Sequence, residues 1–140
     1  MPTAPTELLG RVPLFSGLGR RELERVANSM KERRFRQGDV VTTEGRGGVG
    51  FFVIEEGEAE VSVYGERRAT LGPGDYFGEI ALITESDRTA TITAATDLRC
   101  FGMTMWDFRP LVESNATIAW NMLQSLANKL REAEERSQNA

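Results

Sequence analysis
The stretch Gly72-Pro73-Gly74-Asp75-Tyr76-Phe77-Gly78-Glu79-Ile80-Ala81-Leu82-Ile83-Thr84-Glu85-Ser86-Asp87-Arg88-Thr89-Ala90-Thr91 decides how the chain is read. Its glycines at 72, 74 and 78 let the backbone turn tightly and approach another group closely. Glu79, Ala81 and Leu82 then favour helix, which predicts one short helical turn over 78–83 between segments that read as strand. The free N–H groups at the start of such a turn aim outward and can receive an anion. Ala90, Ile92 and Ala94 alternate on one strand face, and the same parity turns Arg88 toward their side.

A guanidinium facing an apolar interior costs several kcal/mol unless it meets an anion. Two partners fit. One is Glu79, in a structural salt bridge. The other is a phosphate, whose oxygens match the planar fork of N–H donors. With phosphate on Arg88, Glu79 needs a neutral hydrogen-bond donor, and a ribose hydroxyl is such a group.

Outward from this stretch the pattern is β from about residue 31. Turn signals recur at Gln37-Gly38-Asp39, 44–50, Glu56-Gly57, Tyr64-Gly65, 72–75, Ser86-Asp87 and Thr96-Asp97. Roughly seven to twelve residues between turns is the spacing of an all-β sandwich or roll. Ala59, Val61 and Val63 share one strand face, and Phe51-Phe52-Val53-Ile54 forms a continuous apolar run. These features predict a jelly-roll-like β-domain.

The flanks read as helix. Leu23, Val26, Ala27 and Met30 fall on one helical face, preceded by the short apolar segment Val12-Pro13-Leu14-Phe15. After Met103, the residues Val112, Ala116, Ala119, Leu123, Leu126, Leu130 and Ala133 step alternately by four and three, an apolar seam over about three heptads. Ile118 and Met122 form a second strip, so one strip is expected on the β-domain and the other against a partner helix. Trp120 at this spacing reads more readily as core than as a ligand contact.

Composition excludes whole classes of chemistry. The chain has 140 residues, the size of one domain, and a net charge of −4, the wrong sign for coating nucleic acid. The basic residues Arg20, Arg21, Arg25, Lys31, Arg33, Arg34 and Arg36 alternate with Glu22, Glu24 and Glu32, the pattern of a solvated face. There is no histidine, which removes histidine-based nucleophile systems and the common zinc and non-haem iron sites. Cys100 is the one cysteine, so no intrachain disulfide forms, and its apolar strand reads as housing a buried, inert thiol. No apolar run is long enough to span a bilayer and no secretory signal is visible, so the expected location is the cytoplasm.

The segment 77–83 followed by Arg88-Thr89-Ala90-Thr91 resembles the phosphate-binding cassette of cyclic nucleotide-binding domains. Catabolite activator proteins, regulatory subunits of cyclic-nucleotide-dependent kinases and cyclic-nucleotide-gated channels carry this domain. The likeness extends to Val12-Pro13-Leu14-Phe15, to the strand at 51–57 and to the final amphipathic helix. It implies a mainly β fold with flanking helices. The parts are N-terminal helices over 1–30, an eight-stranded jelly-roll-like β-roll over 31–103 with the cassette at 72–91, and C-terminal helices over 104–137.

The resemblance also implies roles. Gly78 and Glu79 would hold the ribose, the carboxylate accepting from the 2′-hydroxyl. The backbone N–H of Ala81 and the side chain of Arg88 would bind the cyclic phosphate, with Thr89 near phosphate and base. Ile80 and Ala90 would shape the pocket wall. Trp120, Leu123 and Gln124 are candidates for a lid over the base. The implied protein is a non-catalytic regulatory module for a cyclic mononucleotide, cAMP or alternatively cGMP, with no further cofactor or metal; the cassette residues do not decide between the two bases. It would act through its C-terminal helix, with a homodimer through the apolar seam, or else the seam would pack on its own roll. An alternative is the ligand-sensing portion of a transcription factor. Gly50-Phe51 departs from the family, which has a larger apolar residue and a tyrosine there; a looser strand entry is expected.

Overall fold
The run Phe51-Phe52-Val53-Ile54 lies at the centre of the protein because its strand is covered on both sides. In the computed structural model the described residues are 4–42, 50–78 and 90–138. Strand β3 (Gly50–Glu56) turns Phe51 and Val53 toward a core shared with the helices. Its alternate residues Phe52 and Ile54 face the interior of the roll. Alternation by two, with both faces buried, is why four apolar residues stand in a row.

Before β3 come α1 (Thr6–Gly10), a 3-10 turn (Pro13–Phe15), α2 (Arg20–Ser29), β1 (Lys31–Phe35) and β2 (Val40–Thr42). After it come β4 (Ala59–Val63), β5 (Glu66–Leu71), β6 (Tyr76–Phe77), β7 (Thr91–Ala94) and β8 (Leu98–Thr104). Helices α3 (Met105–Ser114) and α4 (Ala116–Gln138) follow. The described strands form two antiparallel four-stranded sheets, ordered β1-β8-β3-β6 and β2-β7-β4-β5. Register follows the apolar pattern: Val61 pairs with Ile92 and Ala59 with Ala94, and Ile54 pairs with Cys100. The eight strands, the two sheets and the helical flanks are the β-roll expected from the sequence.

Two cores result. Between the sheets lie Ile54, Ala59, Phe77, Ile92, Ala94, Leu98 and Cys100. On the outer face of the first sheet, Phe51, Phe101 and Met103 meet Leu9, Leu14, Phe15, Val26, Met30, Phe108, Ile118 and Met122. Phe51 stacks on Phe108 with centroids 5.0 Å apart and meets Phe15 edge-on at 6.4 Å. Burial of each such ring contributes about 2–3 kcal/mol. Cys100 is fully buried in β8, and burial pushes its thiol up to about 12. The basic residues of α2 and β1 are exposed, as their alternation with glutamates implied.

Three expectations need correction. The apolar seam is not carried by one continuous helix: α3 ends at Ser114, and Asn115 is extended (φ −131°, ψ 101°). Its side-chain oxygen accepts from the Ile118 N–H at 3.0 Å, an N-cap that starts α4 afresh, and Glu22 of α2 accepts from its amide. Val112 therefore belongs to α3. Trp120 is not core: it is 62% exposed, while Ile118 and Met122 are the strip that α4 buries. Gly50 does not loosen the strand entry. A Cβ there would stand 2.7 Å from the Phe52 ring, and one at Gly102 would stand 2.6 Å from it. The two glycines make the space that the ring fills, and Phe51 beside them is fully buried.

Candidate nucleotide site
The ends of the cassette are fixed by the two sheets. Its first turn is locked onto β3: the Gly74 N–H donates to the Ile54 carbonyl at 2.8 Å, and the Ile54 N–H donates to the Asp75 carbonyl at 2.9 Å. Asp75 closes the turn by accepting from the Gly72 N–H at 2.8 Å. Strand β6 then pairs with β3, Phe52 opposite Phe77 and Val53 opposite Tyr76. Gly78 follows with φ +100°, a backbone conformation that costs side-chain-bearing residues strain and so requires glycine there.

The chain is described again at Ala90, half-buried, and enters β7 in the other sheet, where Ile92 and Ala94 point inward at 5% and 1% exposure. The cassette thus leaves the edge strand of one sheet and returns on an inner strand of the other. Of the expected site residues, Gly78 is described. Glu79, Ile80, Ala81, Arg88 and Thr89 lie outside the described residues, as does all but Gly78 of the helical turn expected over 78–83.

The described wall beside Gly78 is aromatic. Phe52 stacks on Phe77, centroids 5.2 Å apart and planes 23° apart, facing the roll interior. Among the described residues, no group of three or more acidic, cysteine or histidine side chains is arranged to hold a metal ion.

On the opposite face of the same strand, Tyr76 packs on Phe51 at 5.5 Å and shares a 2.5 Å hydrogen bond between its hydroxyl and that of Ser125. The Lys129 ammonium lies 5.4 Å from the Tyr76 ring centroid, within cation–π reach. Asn121 donates to the carbonyls of Leu14 and Ser16 at 3.0 and 2.8 Å, which clamps the first half of α4 to the 3-10 turn. Leu123 and Leu130 are 58% and 61% exposed. The Tyr76–Ser125 contact was invisible in the sequence, since it joins residues 49 apart with no motif between them.

Comparison with known proteins accords with this geometry. Residues 32–115 match the model of the cyclic nucleotide-binding domain, a span that contains both Glu79 and Arg88. The chain belongs to the cyclic nucleotide-binding domain family. It is 44% identical over 93 residues to a cAMP-dependent protein kinase regulatory subunit of Yarrowia lipolytica, covering 65% of this chain and 25% of that one. The structure superposes on the Thermus thermophilus catabolite activator protein with a TM-score of 0.83 at 28% identity, covering 90% of this chain and 62% of the other. It superposes on the regulatory domain of Toxoplasma gondii PKA, co-crystallised with cAMP, with a TM-score of 0.77 at 25% identity, covering 89% of this chain and 48% of that one. The chain spans about a quarter of the kinase regulatory subunits it matches. No described helix is long and apolar enough to cross a membrane.

Proposed function
We propose that the chain is a non-catalytic regulatory module that binds a cyclic mononucleotide in the roll, cAMP in preference to cGMP, and passes the event on through α4. The observation that carries this reading is the family match across residues 32–115, which includes Glu79 and Arg88. The described ends of the cassette support it: Gly78 follows β6 at the edge of one sheet, and Ala90 leads into β7, an inner strand of the other.

In this reading Arg88 and the Ala81 N–H bind the cyclic phosphate, the arginine by a charge-assisted fork. Glu79 accepts from the ribose 2′-hydroxyl beside Gly78, which spares the carboxylate a clash with the phosphate charge. Ile80 and Ala90 line the wall, and Thr89 lies between phosphate and base. Trp120, Leu123 and Gln124 are candidate base contacts, and their exposure on α4 leaves them available. The module needs no cofactor besides its ligand, and its setting is the cytoplasm, without direct contact to nucleic acid or membrane. The exposed Leu123 and Leu130 are compatible with a homodimer through α4.

A second reading, the sensing portion of a transcription factor, is favoured by the close superposition on the catabolite activator protein. Equilibrium titration with cAMP tests the site in either case. Saturable 1:1 binding is expected, with at least a hundredfold loss in Arg88→Ala, since removal of a buried anion's partner costs about 3 kcal/mol or more. Equal affinity in parent and variant would overturn the assignment of Arg88.

A further inference from the structure
We infer that Tyr76 is a positioning residue that ties the nucleotide site to α4 through Ser125, and that this tie sets how long the nucleotide stays bound. The inference rests on the proposed nucleotide site. Tyr76 and Phe77 are adjacent on β6 and face opposite ways: Phe77 looks into the roll, while Tyr76 packs against the core beneath the helices. A displacement at 77–78 is therefore transmitted to the outer face across a single peptide unit, in a strand too short to absorb it.

What Tyr76 meets there is the point at which α4 leaves the body of the protein. The helix is held up to that point by the buried side chains of Ile118 and Met122 and by the Asn121 clamp. Ser125 and Lys129 are one turn apart on the same side, and both reach Tyr76. From 127 to 137, Lys129 included, the helix is exposed along its whole length. The Tyr76 contact thus fixes the direction in which the distal half projects. Without it that half samples more orientations, and any closure over the site must first restrict them.

Stopped-flow binding of cAMP to the full chain tests the tie. Tyr76→Phe and Ser125→Ala each remove one of the two hydroxyls, and neither residue lines the proposed pocket. Both variants are expected to release cAMP about threefold to tenfold faster, the range for loss of one hydrogen bond, with the association rate unchanged. The double variant should be no faster than either single one, and Ser125→Thr, which keeps a hydroxyl, should restore slow release. Unchanged dissociation, additive effects or a slowed association would overturn the coupling while leaving the nucleotide site standing. Failure of the parent chain to bind any cyclic nucleotide would overturn the site itself and the coupling with it.

Discussion

Phe52 and Phe77 lie nearly flat on one another across the β3–β6 pair, directly before Gly78, and Gly50 and Gly102 supply the room that Phe52 occupies. Stacking and close approach therefore depend on one another. A side chain added at Gly102 would drive Phe52 against Phe77, and Phe77 is held by the roll interior. Gly102→Ala is expected to lower stability by about 1–3 kcal/mol, the usual cost of overpacking a core. Urea denaturation measures it, and Phe52→Leu in the same chain should recover part of the loss. An additive double variant would mean that the two positions do not share this space.

A second glycine is limited by backbone, not by a ring. Gly57 has φ +92°, and a Cβ there would stand 2.2 Å from the Asp97 carbonyl oxygen. Gly38 has nearly the same φ, +91°, but open space around it. Gly57→Ala should therefore cost clearly more than Gly38→Ala, whose loss is that of the strained dihedral alone, about 1 kcal/mol. Paired thermal unfolding curves give both values. Equal losses would show that the β3–β4 turn moves away from Asp97 without penalty.

The buried thiol makes stability depend on alkaline pH. Burial raises Cys100 from 9.0 to about 12 in the folded chain. Well below pH 9 the thiol is protonated in both states and contributes no slope; the slope sets in as the pH approaches 9. Between the two values the unfolded chain gives up the proton and the folded chain keeps it, so stability falls as pH rises, by about 1.4 kcal/mol per pH unit. Denaturation at pH 8.5, 9.5 and 10.5 should show this added slope in the parent and not in Cys100→Ala. The same burial predicts that the thiol resists alkylation at neutral pH until the chain unfolds.

Much of the fold was legible in the residues. The alternation of Ala59 with Val61 and of Ile92 with Ala94 placed inward faces correctly, because a half-buried strand must alternate. The run at 51–54 marked a strand buried on both faces. What misled was the helical end. A heptad count carried the seam through Asn115, although an asparagine three residues before Ile118 is itself a helix-start signal; side-chain capping overrode apolar period there. Trp120 read as core from spacing alone, yet a helix lying on a surface buries one stripe, and Ile118 and Met122 already occupy it. At the described ends of the cassette, the glycine at 78 and the inward parity of Ile92 and Ala94 were legible, because a close turn and an inward strand face leave marks in sequence; Glu79 and Arg88 lie outside the described residues. The tie between Tyr76 and Ser125 leaves none, since it depends on where α4 comes to lie.

Thermal unfolding with cyclic and linear nucleotides addresses the central claim most directly. Ligand at a thousand times its dissociation constant adds about 4 kcal/mol to the folded state, which for a chain of this size is a shift of about 10 °C or more. The account predicts such a shift with cAMP, a shift with cGMP that is no larger, and little with the linear 5′-monophosphates, all of it strongly reduced in Arg88→Ala. An unmoved melting temperature with both cyclic nucleotides, or equal shifts with the cyclic and the linear forms, would contradict it.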